Sequence, residues 1–99
     1  MVWSLSKIKH TIKNKFGLEI FVSSLDTKHF SPHIHIKFSG EEVVLDLNDF
    51  ETLAPNNIEI LNNNFTKKLK KLVEYLEHST EITDILIDEF YKRNPHLKP

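Results

Sequence analysis

The sequence predicts an α+β domain, a small antiparallel sheet of three to four strands packed by two C-terminal helices, with an N-terminal helix beside it. Three observations carry that expectation. His33-Ile34-His35-Ile36-Lys37-Phe38 alternates apolar and polar side chains strictly, the period-two pattern of a half-buried strand. Phe65, Leu69, Leu72, Val73 and Leu76, and then Ile82, Ile85, Leu86 and Phe90, recur at helical spacing. A chain of 99 residues, 39% hydrophobic and 27% charged, supplies one core and not two, so residues 1–99 read as a single domain.

The elements follow in order. Leu5, Ile8, Ile12 and Phe16 form an apolar stripe, with Lys7, Lys9, Lys13 and Lys15 mostly off it and Ser4 or Ser6 available as N-cap; this predicts an amphipathic helix over 4–16 that Gly17 ends. Leu18 to Ser23 has strand composition, with Leu18, Ile20 and Val22 on one face and Phe21 on the other. Ser24 to Pro32 reads as a loop that delivers the chain to the alternating hexapeptide. A tight turn at Ser39-Gly40-Glu41 returns it as a third strand, Glu42 to Leu47. Residues 48–64 read as irregular and acidic, with a short strand at Ile58 to Leu61 as the one candidate element. A helix near 65–78 follows, then a second helix capped by Ser79-Thr80 and ending before Pro95, so that the helix pair spans 65–92. The last residues are expected to fray.

The hairpin register can be argued from the sequence, because directly opposed residues of an antiparallel pair share a face. A Gly40-Glu41 turn sets His35 opposite Asp46; a Ser39-Gly40 turn sets His33 opposite Asp46 and Lys37 opposite Glu42. Either choice groups Val43, Leu45 and Leu47 with the isoleucines and puts Asp46 on the histidine face, which is expected to be exposed or to line a cleft.

Composition removes several classes of chemistry. With no cysteine there are no disulfides, thiolate zinc sites, iron–sulfur clusters or cysteine nucleophile. Two glycines leave no phosphate-binding glycine-rich loop, and no serine stands in a nucleophile elbow. Met1 to Lys7 lacks the apolar core of a signal peptide and no run reaches a membrane span, which together predict a cytoplasmic protein. The formal charge of -1 conceals segregation: residues 1–40 hold six basic and two acidic side chains, and residues 41–63 hold six acidic and no basic ones.

Six histidines are present, and His29, His33 and His35 fall within seven positions. Three functional readings stay open at this point. In the first, His33 and His35 bind a divalent metal, zinc or manganese, with His29 and Asp46 as further ligands; on a strand their Cα atoms lie about 6.6 Å apart and their side chains project in parallel. In the second, two of the histidines act as proton donor and acceptor on a phosphodiester, most naturally RNA, with Lys37 stabilising developing charge and Asp46 orienting an imidazole. The basic N-terminal helix and Lys67 to Lys71 would then position the backbone, with Phe30 as a stacking platform. In the third, the chain is a non-catalytic module for a protein or nucleic-acid partner. Against all three stands plain structure: histidines that cap backbone groups at the entry to the strand, lysines at 67–71 that form a solvated helix face, and a Trp3 that packs on the helical layer. His10, His78 and His96 read as surface residues.

Phe16 to Tyr91 resembles the small bacterial family known as domain of unknown function 4160. The resemblance rests on Lys28-His29-Phe30-Ser31-Pro32-His33-Ile34-His35-Ile36, set against a family pattern of Asp-His-x-Pro-Pro-His-x-His followed by Val or Ile. All three histidines and one proline match; Lys28 stands for the Asp and Ser31 for the first Pro, with Asp26 the nearest acid upstream. Val43 to Asp49 is similar to the family's second hairpin arm, and Phe90 or Tyr91 falls where many members carry Trp. The resemblance implies a small cytoplasmic bacterial protein of the kind found in toxin–antitoxin-type gene pairs, with an RNA-directed or regulatory role and a cognate antitoxin-like protein as partner. The expectation taken forward is a toxin-like or defence-associated protein acting at His29, His33, His35, Lys37 and Asp46, with RNA cleavage as the leading reaction and a metal-binding or interaction module as the alternative.

Overall fold

The computed structural model describes residues 3–24, 31–54 and 62–98. It has the expected α+β order: α1 (Leu5–Phe16), β1 (Glu19–Phe21), β2 (His33–Phe38), β3 (Glu41–Asp46), β4 (Thr52–Ala54), α2 (Asn63–Glu77) and α3 (Thr80–Arg93). The four strands form one antiparallel sheet in the order β1-β2-β3-β4.

Each element has a local cause. The Ser4 hydroxyl accepts from the Lys7 amide at 3.2 Å, satisfying one orphan donor at the start of α1. Gly17 ends that helix in the left-handed region at φ 70°, donating its amide to the Lys13 carbonyl at 2.9 Å, and Lys13 and Lys15 sit where cations suit the helix dipole. Between β2 and β3 the turn residues are Ser39 (φ 49°) and Gly40 (φ 83°), both left-handed as a type I′ turn demands. That turn selects one of the two registers open from sequence: His33 lies opposite Asp46 and Lys37 opposite Glu42.

The register sorts the faces. Ile34 and Ile36 on β2, Val43 and Leu45 on β3 and Ile20 on β1 are all buried against the helices. The helices answer with Ile8 and Ile12, then Phe65, Leu69, Leu72 and Leu76, then Ile82, Leu86 and Phe90, forming a single apolar cluster. Removing one of its large side chains would cost about 3–5 kcal/mol. Trp3 is half-buried against this cluster, as expected. At the α2–α3 corner the Ser79 side chain makes no capping bond; the buried Thr83 hydroxyl donates instead to the Leu76 carbonyl at 2.9 Å. The amide of buried Asn94 donates to the carbonyls of Ser23 and Phe90, both at 2.9 Å, tying the end of α3 to the chain leaving β1.

Three expectations need correction, and a fourth falls on residues that are not described. The acidic stretch read as irregular contains β4 at Thr52–Ala54, paired with β3 through a register shift between Val44 and Leu45. The candidate strand at Ile58 to Leu61 lies outside the described residues. The chain after α3 does not simply fray, because Pro95–Leu97 forms a 3-10 turn and Leu97 packs on the core. The first strand also pairs over a shorter span than its composition suggested, Glu19 to Phe21.

Candidate metal-binding histidine site

The face of the sheet opposite Ile34 and Ile36 carries Phe21 from β1, His33, His35 and Lys37 from β2, and Glu42 and Asp46 from β3. Its rings form a continuous stack. Phe21 lies parallel to His35 at 4.6 Å between centroids, His35 meets His33 at 5.3 Å and 62°, and His33 meets Phe90 of α3 at 5.0 Å.

This stack overturns the expectation of an exposed or clefted histidine face. His33 is 0% exposed and the His35 side chain 15%, because flat rings close over one another and Phe90 covers the end of the row. Lys37 and Glu42 at the rim remain exposed, with the Lys37 ammonium 5.0 Å over the Phe21 ring and 3.8 Å from the Glu42 carboxylate.

Both imidazoles are held through Nδ1. His33 Nδ1 lies 2.7 Å from the Ser31 carbonyl oxygen, which can only accept, so Nδ1 carries the proton and donates. His35 Nδ1 likewise donates to the Glu42 carboxylate at 3.1 Å. In each neutral ring the lone pair is therefore on Nε2. Both Nε2 atoms are buried, and that of His35 has no hydrogen-bond partner among the described residues.

Asp46 does something other than face its opposite number. Its Oδ1 accepts from the amides of Asn48 at 2.7 Å and Asp49 at 3.2 Å, capping the turn into β4, while Phe50 in that turn takes φ 60°. Burial pushes the Asp46 carboxyl up, but hydrogen bonds from the Ser31 side chain and from these two amides outweigh it and hold the group below its ordinary 3.8. Ser31 is thus tied in on two sides, since its hydroxyl also accepts from the Asn48 side chain at 3.1 Å.

The structure therefore brings His33, His35 and Lys37 together and places Asp46 directly across from His33 with one carboxylate oxygen given to the turn. His29 lies outside the described residues, as do Asp26, Lys28 and Phe30. Among the described residues no group of three or more His, Asp or Glu side chains is arranged to hold a metal ion. Glu42, Phe21 and Ser31 are site residues that sequence reasoning missed. Glu42 reaches His35 diagonally, and the signal for it was the Ser39-Gly40 register, which sets Glu42 one pleat from His35 on the same face.

The model of the family described as Domain of unknown function (DUF4160) matches residues 17–84. The chain belongs to this family. The matched span contains the whole sheet with the His33–His35 pair, Glu42 and Asp46, and ends before Phe90, so the ring that closes over His33 comes from outside it. Searches of curated proteins and of solved structures found no match. Among the described residues no helix is long and apolar enough to cross a membrane.

Proposed function

We propose that this member of the DUF4160 family is a toxin-like bacterial protein that binds a divalent metal ion, zinc or manganese, through Nε2 of His33 and His35, with His29, four positions before His33 in the sequence, as the third imidazole. The observation that carries the reading is the anchoring of both Nδ1 atoms, one on a backbone carbonyl and one on a carboxylate. Metal-ligating histidines are held this way, which fixes the tautomer and raises ligand basicity. The spacing agrees. Two imidazoles bound tetrahedrally through Nε2 at about 2.0–2.1 Å would bring their ring centres to about 5.2 Å, against the 5.3 Å observed.

Bound there, the ion would supply a Lewis acid and an activated water. The protein's part is to present the two lone pairs without reorganisation. Ser31 and Glu42 hold the rings, Phe21 and Phe90 sandwich the pair, and the pair's burial keeps bulk water from the Nε2 atoms. Asp46 supports the site indirectly, through the turn that it caps and the side chain of Ser31.

Elemental analysis of protein purified without an affinity tag tests this. About one equivalent of metal in the wild type, lost in His35→Ala, is expected. Less than about a tenth of an equivalent, with no uptake of added zinc or manganese, would remove the metal reading.

RNA cleavage by proton transfer is the second reading, and Lys37 favours it. Its side chain is 53% exposed and bridged by Glu42 to His35, so a cation, a base and an orienting carboxylate meet at the rim of the site. An acid–base pair must touch its substrate, however, and His33 has no exposed surface, whereas an ion needs only the lone pairs. Incubating total RNA with wild type, His33→Ala and His35→Ala separates the readings: cleavage lost in both variants without any dependence on metal would favour proton transfer. A cognate antitoxin-like protein is the partner this reading implies.

A further inference from the structure

Away from the histidines, the helices carry charge that the rest of the chain does not share. α1 and α2 together hold eight lysines against two glutamates, in a chain of net charge -1. Packing sets the last turn of α1 beside α2, and lysines and aromatic rings alternate across that seam. Lys15 Nζ lies 5.6 Å over the Tyr75 ring, and Tyr75 meets Phe16 edge to face at 5.5 Å. Next to Phe16 is Gly17, where a side chain would begin 3.4 Å from Lys68 Nζ, and Lys68 lies 5.5 Å over Phe38 at the end of β2. All three rings are half-buried, so each keeps an exposed part, and exposed Lys71 stands one turn from both Lys68 and Tyr75.

Three of the acids near this seam are already engaged. Glu19 holds Lys13 at 3.2 Å, Glu41 accepts from the Asn62 amide at 3.0 Å, and Glu42 is shared by His35 and Lys37. Glu74 follows Lys71 by three residues on α2 without an ion pair to it. Among the described residues no carboxylate pairs with Lys15, Lys68 or Lys71.

Cations at intervals suit a phosphodiester backbone, and flat half-exposed rings between them suit unpaired bases. An acidic protein segment would use the lysines and leave the rings without a counterpart; a duplex, whose bases stack on one another, would do the same. At the Phe38 end the track opens into a groove of about 630 Å³ lined by Lys13, Lys37, Ser39 and three glutamates, where the Ser39 hydroxyl can pair with a ribose 2′-hydroxyl. We propose that the track Lys15–Tyr75–Phe16–Lys68–Phe38, with Lys71, is a binding surface for single-stranded RNA. It requires no metal at His33 and His35, so it stands or falls separately from that reading.

Fluorescence anisotropy with a labelled single-stranded RNA of roughly twelve nucleotides, beside the same sequence as single-stranded DNA and as duplex RNA, tests it. The single-stranded RNA is expected to bind most tightly, with log affinity falling against log salt at a slope of about -2 if three lysines each neutralise a phosphate. Lys15→Ala/Lys68→Ala/Lys71→Ala should flatten that slope and cost at least about tenfold near 100 mM salt. Tyr75→Leu keeps the charge and the apolar packing, and should cost about tenfold with the slope unchanged. Lys92→Ala on α3 should change nothing, and circular dichroism of each variant checks that it is folded. No binding at about 50 mM salt, wild-type affinity in the triple variant, or equal affinity for the duplex, for the DNA or for polyglutamate would overturn the proposal.

Discussion

Replacing Asp46 with alanine removes the acceptor for the amides of Asn48 and Asp49 and for the Ser31 side chain, and leaves the turn into β4 without its cap. A hydrogen bond to a charged group contributes about 1.5–3 kcal/mol, but Asn48 and Asp49 are exposed and water can replace the lost partner, so the low end applies. The expected cost is about 2 kcal/mol, or roughly 10 °C in melting temperature for a chain of this size. Asp46→Asn keeps a side-chain oxygen and should cost about half as much. The charge supplies a second signature. Because the folded carboxyl lies below 3.8, its stabilisation is full above 3.8 and is lost as the pH falls through the folded value. Wild type and Asp46→Asn should therefore differ most near neutrality and converge on the acid side of 3.8. Urea unfolding followed by circular dichroism across that range measures both effects. An alanine variant within about 0.5 kcal/mol of wild type, or a gap between wild type and Asp46→Asn that ignores pH, would refute the capping role. Loss of bound metal in Asp46→Asn at unchanged stability would make Asp46 a ligand instead.

Other substitutions probe neighbouring parts of the account. Glu42→Ala, at an exposed position, should leave stability within about 0.5 kcal/mol while lowering metal affinity about tenfold, as measured by competition with a chelator. Phe90→Ala should cost about 3–5 kcal/mol in urea unfolding, since the ring is fully buried, and should expose His33 to carbethoxylation. Ser39→Asn should stabilise the hairpin by roughly 0.5 kcal/mol because asparagine accepts a left-handed backbone more readily, whereas Gly40→Ala should destabilise it by about 1 kcal/mol although nothing lies within 4 Å of the new methyl group.

The readable parts of this fold are those in which one periodicity or one punctuating residue acts alone. Strict alternation over His33–Phe38 places β2 without ambiguity, Ser4 and Gly17 bracket α1, and the stripe from Phe65 to Leu76 sets α2. Both registers considered for the hairpin put Asp46 on the histidine face, and it lies there. β4 was illegible because three residues cannot show a period, and its place depends on a bulge opposite Val44 and Leu45. The histidine face was expected to be open because polar residues alternate with isoleucine there. Whether a polar face is open depends on what packs over it, and the cover here comes from Phe21, one strand away, and from Phe90, far along the chain. The tautomer of each ring was equally beyond reach, since it depends on a carbonyl and a diagonal carboxylate that only the folded register brings near.

Nitrogen-detected NMR of the six histidine rings during a zinc titration tests the central claim most directly. The account expects His33 and His35 to carry their proton on Nδ1 in the metal-free protein and their Nε2 resonances to move together, saturating at about one equivalent of zinc. Nε2-protonated rings at these two positions, or shifts confined to the exposed His10, His78 and His96, would contradict it.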